Sequence, residues 1–139
     1  MLPISLLREN LFQVDGVGPS IDVSRATGKL LVVTLGITRI LEQESLEVSI
    51  WGSSNGTAWG LKPLASFPTK SYCGLYSTLL NLCARPQTRY ARVQWRMNRW
   101  GKTPGNPVMS TFYVEAEESG ARMQRKTEPE FVDDAFAVA

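Results

Sequence analysis

The arginines of one short segment are the residues whose types and spacing best suit ligand or partner recognition. Arg92 and Arg96 are four residues apart where polar and apolar residues alternate, so in a β-strand both lie on one face, about 13 Å apart. Guanidinium groups bind phosphate and carboxylate, and neighbouring aromatic rings can stack on planar ligands. The complete candidate binding face is Arg89, Tyr90, Arg92, Gln94, Arg96, Arg99, Trp100 and Lys102.

Charge is distributed unevenly along the 139 residues. Residues 48–114 contain eight basic residues and no acidic residue, whereas residues 115–139 contain seven acidic and three basic residues. A cationic centre and an acidic C-terminal segment can therefore meet within one molecule or between copies, because complementary charge steers association. As an alternative, the arginines are solvated and pair with acidic residues of the first strands, such as Glu42, Glu44 and Glu47.

Catalysis is not expected from this composition. The sequence contains no histidine, which excludes Ser-His-Asp and Cys-His nucleophiles and histidine-based zinc sites. Paired carboxylates for acid/base catalysis would have to come from the ends of the chain. Asp15 and Asp22 flank a glycine-rich turn and could bind Ca²⁺, with Asx-turns as the alternative role. We therefore expect a protein with no catalytic residue, no metal and no cofactor.

Cysteine content and hydropathy indicate the compartment. Cys73 and Cys83 are too few for a Cys-rich zinc site or a disulfide scaffold. The first residues fit no signal peptide, and no apolar run reaches the roughly 20 residues of a membrane span. We expect a soluble chain that is cytoplasmic or part of an assembled particle and has no membrane partner. Its thiols should be reduced and buried, with a disulfide between neighbouring strands as the alternative.

Strand signals recur about every ten residues, and no long helical pattern interrupts them. Residues 27–37 are apolar on both faces, which is typical of a central strand, and residues 90–98 alternate most clearly. This pattern predicts an all-β fold, an antiparallel β-sandwich with jelly-roll or Greek-key connections. Further strands are predicted at 46–51, 61–67, 72–82 and 108–116, and the buried row of 90–98 is Ala91, Val93, Trp95 and Met97.

The domain organisation follows from where these signals begin and end. Residues 27–116 form the predicted sandwich body, and residues 1–26 form an N-terminal arm or edge strands. Residues 117–139 are a predicted acidic C-terminal tail, and both terminal arms are expected to be flexible. Spaced apolar residues near the end of the tail suit docking on a neighbouring molecule. These residues are Phe131, Val132, Phe136 and Val138.

Two tryptophans, Trp51 and Trp59, enclose a turn-rich segment in which Asn55-Gly56 can supply the positive φ angles of a tight hairpin. Residues 48–59 resemble the strand-turn-strand pattern of discoidin-like (galactose-binding-like) sandwich modules, in which an alternating strand leads into Gly-Ser, a turn glycine and a tryptophan. The resemblance implies a sandwich that binds ligands at loops of one end, and no binding residue is carried over from it. Both tryptophans are candidate stacking platforms, with core anchoring as the alternative.

These features lead to an assembly function. The expected protein is a non-enzymatic structural or interaction subunit that forms a homo-oligomer or docks on a larger protein assembly, such as a shell, a filament or a virus-like particle. It would associate through its cationic sheet face and terminal arms. The first alternative is a carbohydrate- or ligand-binding module, and the second is a single-stranded nucleic acid binder that combines stacking with phosphate contacts.

Overall fold

The computed structural model describes residues 3–100 and 107–119. These residues form β-strands joined by turns and one short 3-10 helix, Ser24–Ala26. No helix among them is long and apolar enough to cross a membrane. The strands are β1 (Ile4–Phe12), β2 (Gly16–Val17), β3 (Ile21–Asp22), β4 (Leu30–Ile40), β5 (Glu44–Ser53), β6 (Ala65–Ser66), β7 (Gly74–Asn81), β8 (Tyr90–Arg99) and β9 (Ser110–Glu118).

The strands form two antiparallel sheets. One has the order β1-β9-β4-β7, and the other has the order β2-β8-β5-β6, with β3 also pairing with β8. Because β2 and β3 are two short pieces along the same strand, the chain fills eight strand positions, and successive positions lie in opposite sheets except for the neighbours β5 and β6, as in a jelly roll. The predicted antiparallel β-sandwich with jelly-roll connections is therefore confirmed.

The core lies between one apolar row from each sheet. The alternation predicted for β8 is confirmed, because Ala91, Val93, Trp95 and Met97 are all buried. An aromatic cluster joins the two sheets: the ring centroids of Phe12 and Trp95 are 4.5 Å apart, and those of Phe12 and Phe112 are 4.9 Å apart. The opposing row of the other sheet includes Leu31, Val33, Leu35 and Ile37 of β4 and Phe112, Val114 and Ala116 of β9.

Turn chemistry changes two of the predicted elements. The strand expected at 61–67 contracts to β6, because Pro63 and Pro68 cannot donate to a sheet ladder. The tight hairpin expected after Trp51 is instead a loop over 54–64 that returns to β6. The loop keeps the predicted turn: the side-chain oxygen of Asn55 accepts hydrogen bonds from the backbone N–H groups of Thr57 and Ala58, at 2.9 and 3.0 Å.

The terminal segments differ in what the structure shows. From residue 4 onward the N-terminal segment supplies edge strands, and β1 carries the buried core residue Leu6. At the other end β9 continues to Glu118, two residues past the predicted end of the body. Residues 120–139, which hold most of the predicted tail, lie outside the described residues. So do the predicted docking residues Phe131, Val132, Phe136 and Val138.

The prediction of buried cysteines is wrong. Cys73 and Cys83 are free and both are exposed to solvent. The reason is their position, since they flank β7, which is the edge strand of its sheet. The thiol of Cys83 is placed to donate a hydrogen bond to the carbonyl oxygen of Gly28, at 3.1 Å.

Candidate binding face

The outward rows of β5 and β8 form one polar surface. Their antiparallel register places Trp51 opposite Arg92, Ser49 opposite Gln94 and Glu47 opposite Arg96. Burial of the alternate residues in the core forces these side chains outward. We define the cationic face as this surface together with the residues that adjoin it at the end near Trp51 and Arg92. Its residues are Glu47, Ser49, Trp51, Trp59, Arg89, Tyr90, Arg92, Gln94 and Arg96.

Arg92 and two tryptophans meet at one end of the cationic face. The guanidinium carbon of Arg92 lies 4.4 Å from the centroid of the Trp59 ring, a cation-π contact between the 54–64 loop and β8. Trp51 is the cross-strand partner of Arg92, and its indole N–H donates to the Ser49 hydroxyl at 2.9 Å. The structure thus combines the predicted stacking residues with a predicted arginine, and both tryptophans are half-buried.

Arg96 lies beside an open groove on the same face. The groove has a volume of about 320 Å³. It is lined by residues of β5 and β8 and by residues 66–69, at the end of β6 and just after it. A carboxylate, an amide, hydroxyls and an aromatic ring are therefore grouped around an exposed arginine. Such a set can bind a polar ligand through hydrogen bonds and ring contacts. The polar and aromatic lining residues are Glu47, Ser49, Trp51, Ser66, Phe67, Thr69, Gln94 and Arg96.

Two aspartates near the cationic face hold the backbone. The side-chain oxygen of Asp22 accepts a hydrogen bond from the backbone N–H of Ser24 at 2.8 Å, which is an Asx-turn. Hydrogen bonds from the Ser24 side chain and backbone lower the pKa of Asp22, and the nearby charges of Arg89 and Arg25 lower it further. Asp15 accepts from the backbone N–H of Met97 at 2.7 Å.

These bonds bear on the calcium hypothesis. Each carboxylate is already an acceptor for a backbone N–H, so the Asx-turn alternative is confirmed for Asp22 and Asp15 has a comparable bracing role. Over residues 3–100 and 107–119, no three histidine, cysteine, aspartate or glutamate side chains are grouped to hold a metal ion. The two aspartates are thus structural acceptors, Asp22 within the turn that follows β3 and Asp15 on the backbone of β8.

Arg99 and Trp100, which the sequence also assigned to the candidate binding face, lie away from the cationic face. Arg99 belongs to the core-facing row of β8, and its Nε and Nη1 donate to the carbonyl oxygens of Glu42 and Pro107, at 3.1 and 3.3 Å. Trp100 follows the far end of β8, about 26 Å along the strand from Arg92, so it does not join the other tryptophans. Lys102 lies outside the described residues.

Glu44 lies in the core and has a structural role, whereas pairing with the arginines would require it to be at the surface. It is fully buried, and its carboxylate accepts hydrogen bonds from the backbone N–H of Leu41, the backbone N–H of Met109 and the hydroxyl of Ser110. It therefore does not pair with the arginines on the surface. No local signal marks it, because two of its three donors, Met109 and Ser110, are more than sixty residues away in the sequence.

Comparison with known proteins gives one informative match. No protein-family model matches the chain, and no curated protein sequence matches it. Among solved structures, the chain is similar to a chain in the structure of the Gt strain of infectious bursal disease virus, with a TM-score of 0.55 and 11% identity. The match covers 86% of this chain and 32% of the other chain, so this protein spans about a third of its neighbour. At this identity the likeness supports the fold.

Proposed function

We propose that the protein is a non-enzymatic structural subunit that associates with copies of itself, or docks on a larger protein assembly, through the cationic face. One observation carries the proposal. Within the described part of the chain, Arg89, Arg92 and Arg96 have no carboxylate oxygen within 4.0 Å, even though Glu47 faces Arg96 across the strand pair. A surface with three arginines that form no salt bridge with the described residues is suited to an acidic partner.

The chain itself contains a segment of the required charge. Residues 127–139 hold four acidic residues and no basic residue, whereas Glu115, Glu117 and Glu118 belong to β9 of the other sheet. An acidic segment of a neighbouring copy would therefore complement the cationic face. The fold of the structural neighbour is consistent with this proposal, because its name describes a virus, and virus particles are built from associating protein subunits.

Light scattering after size exclusion tests this proposal, at about 0.1 M and about 1 M salt. Exposed charge pairs are screened strongly over that range, so an assembly held by the cationic face should shrink at the higher salt. Replacing Arg89 and Arg96 together, as Arg89→Glu with Arg96→Glu, should weaken association at low salt by about tenfold or more. Both side chains are exposed, so the fold should survive both changes.

A matched control separates this surface from net charge. Arg8→Glu with Arg39→Glu changes the charge of the chain by the same amount on the other sheet, where both residues are exposed. The control should leave the low-salt assembly intact. Equal loss in both double variants, or a mass that does not change between the two salt concentrations, would show that the cationic face does not drive association.

The groove supports a second candidate function, carbohydrate or small-ligand binding. Trp51 and Arg96 line it together with amide, carboxylate and hydroxyl groups, a combination that suits a polyhydroxylated ligand. The resemblance of residues 48–59 to discoidin-like modules points in the same direction. The light-scattering experiment, together with a polysaccharide column, distinguishes the two functions. A chain that is monomeric at both salt concentrations contradicts the first proposal. Retention on the column that is lost when Trp51 is replaced supports the second.

A further inference from the structure

The four edges of the two sheets are not equally protected against pairing with another chain. An unpaired edge strand presents free backbone N–H and C=O groups, and proteins block such edges with charge, bulges or very short strands. β2, β3 and β6 are two residues long each. β1 carries Arg8 and Glu9, and its register with β9 shifts twice. Three of the four edges therefore have a recognised protection.

β7 lacks each of these protections. It is eight residues long, contains no charged residue and no proline, and pairs with β4 in one unbroken register from Gly74 to Asn81. Leu75 and Leu79 lie on the outward face of this strand and are 73% and 58% exposed. Leucines this exposed, four residues apart on an uncharged edge strand, form an apolar strip along a free sheet edge.

We propose that β7 pairs antiparallel with β7 of a second copy, across a two-fold axis at Ser77, and joins two four-stranded sheets into one. The strand is self-complementary in this register. With Ser77 opposite its own symmetry mate, Leu75 of each copy lies directly opposite Leu79 of the other. Two cross-strand leucine pairs then cover the strip on one face of the joined sheet.

A second copy fits this edge better than the acidic C-terminal segment does. Residues 127–139 contain four acidic residues and no basic residue, and β7 offers them no charged side chain. Pairing of β7 with itself brings together no charged side chain of the strand and satisfies backbone groups on both strands. We refer to Leu75, Ser77 and Leu79 as the β7 edge. This inference concerns a surface separate from the cationic face and stands whether or not that face drives assembly.

Salt provides the first test, because the β7 edge carries no charge. Molar mass should show a dimer in dilution equilibrium that persists at about 1 M salt, where the cationic face is screened. Leu75→Lys with Leu79→Lys places like charges opposite one another, and the dimer should dissociate about a hundredfold more readily. Leu61→Lys is the matched control, since Leu61 is 97% exposed in the 54–64 loop and this variant should retain the dimer.

A cross-link tests the register. In a chain with Cys73→Ser and Cys83→Ser, the Ser77→Cys variant should oxidise to a species of twice the 15.4 kDa chain mass, because opposed residues of antiparallel strands bring their sulfurs within bonding range. Ser24→Cys, which is exposed on the 3-10 helix, should remain monomeric under the same oxidation.

The outcomes separate the two proposals. A monomer at high salt at every protein concentration overturns pairing through the β7 edge, whatever the low-salt result. Equal cross-linking of the Ser77→Cys and Ser24→Cys chains also overturns it. Loss of the high-salt dimer on deletion of residues 120–139 would show that the C-terminal segment, and not a second β7, pairs with the edge. A dimer at high salt that grows no further at low salt would support pairing through the β7 edge and contradict association through the cationic face.

Discussion

The cationic face and the β7 edge belong to different sheets of one sandwich and differ in the forces available for association. The cationic face presents Arg89, Arg92 and Arg96 around half-buried tryptophans, and it contains hydrogen-bonding groups of several kinds. The β7 edge presents two leucines and unpaired backbone, with no ionisable side chain among its residues. Charge is long-ranged and sensitive to salt, whereas apolar burial and strand pairing are short-ranged and insensitive to it.

This difference shows how one small fold can carry two kinds of contact. A charged surface stays hydrated when it has no partner, so it can exchange partners reversibly. An uncharged edge strand gains more from being covered, because both its leucines and its backbone groups are then satisfied. If both proposals hold, the dimer through the β7 edge is the building unit, and the cationic face joins such units in a salt-dependent way.

Glu44 links the two regions, and its removal should have the largest effect on the fold. Its carboxylate connects the β4-β5 turn to the start of β9 through three hydrogen bonds. Glu44→Ala leaves these donors without an acceptor in the core and should lower the free energy of unfolding by about 3 kcal/mol. Urea unfolding measures the change.

Glu47→Ala is the control for that measurement. Glu47 is on the same strand but is exposed, so its removal should change stability by less than about 0.5 kcal/mol. Glu44→Ala should also weaken both kinds of association together, because it loosens the frame that carries both surfaces. Similar unfolding curves for the two alanine variants would mean that the Glu44 hydrogen bonds contribute little.

The contrast between these two glutamates also shows the limit of reading the sequence. The alternation of β5 correctly buries Leu46, Val48 and Ile50 and exposes Glu47, because side-chain direction in a strand follows a period of two. The same period places Glu44 on the core side. The alternative in which it pairs with surface arginines is nevertheless wrong, because its carboxylate is buried and accepts hydrogen bonds from Met109, just before β9, and from Ser110, the first residue of β9. Local pattern gives the face of a residue but not its distant partners.

The Trp59–Arg92 contact should have an intermediate effect. Trp59→Ala removes a half-buried indole and the cation-π contact that holds the 54–64 loop to β8, at an expected cost of about 1 to 2 kcal/mol. Trp100→Ala is the matched variant on the other side of the molecule, where the side chain is 47% exposed, and it should cost less than about 0.5 kcal/mol.

A double-mutant cycle isolates the contact itself. Arg92→Met keeps most of the aliphatic stem and removes the charge, so its coupling with Trp59→Ala should be about 0.5 to 1 kcal/mol. Additive effects of the two changes would mean that the ring and the guanidinium are neighbours without mutual stabilisation.

The sequence predicted which β8 side chains lie on the cationic face better than it predicted their contacts. Alternation in β8 correctly placed Tyr90, Arg92, Gln94 and Arg96 on one outward row. It could not place Trp59 on Arg92, because these residues are 33 positions apart in the sequence and meet only through the path of the 54–64 loop. It also gave no indication that β7 is an edge strand, since strand order depends on the crossovers between sheets and not on composition.

The smallest effect concerns Asp22, whose charge lies near Arg89 at the border of the cationic face. Hydrogen bonds from Ser24 hold its pKa below the ordinary value of 3.8, so the folded state favours the ionised carboxylate. That contribution to stability is present above the ordinary pKa and is lost as the pH falls through the lowered pKa. Asp22→Asn should therefore be less stable than the parent at neutral pH, and the difference should vanish in strong acid.

Thermal unfolding of both chains across this acid range measures the difference, and a carboxyl NMR titration of Asp22 measures the pKa itself. Ser24→Ala should move that pKa back towards 3.8, because the hydrogen bond with the Ser24 side chain is the largest cause of its lowering. Protonation of Asp22 removes a negative charge beside Arg89, whereas the β7 edge contains no carboxylate to protonate. Replacing Asp22 should therefore alter the acid response of the low-salt assembly alone, and an equal response of the high-salt dimer would contradict the separation of the two surfaces.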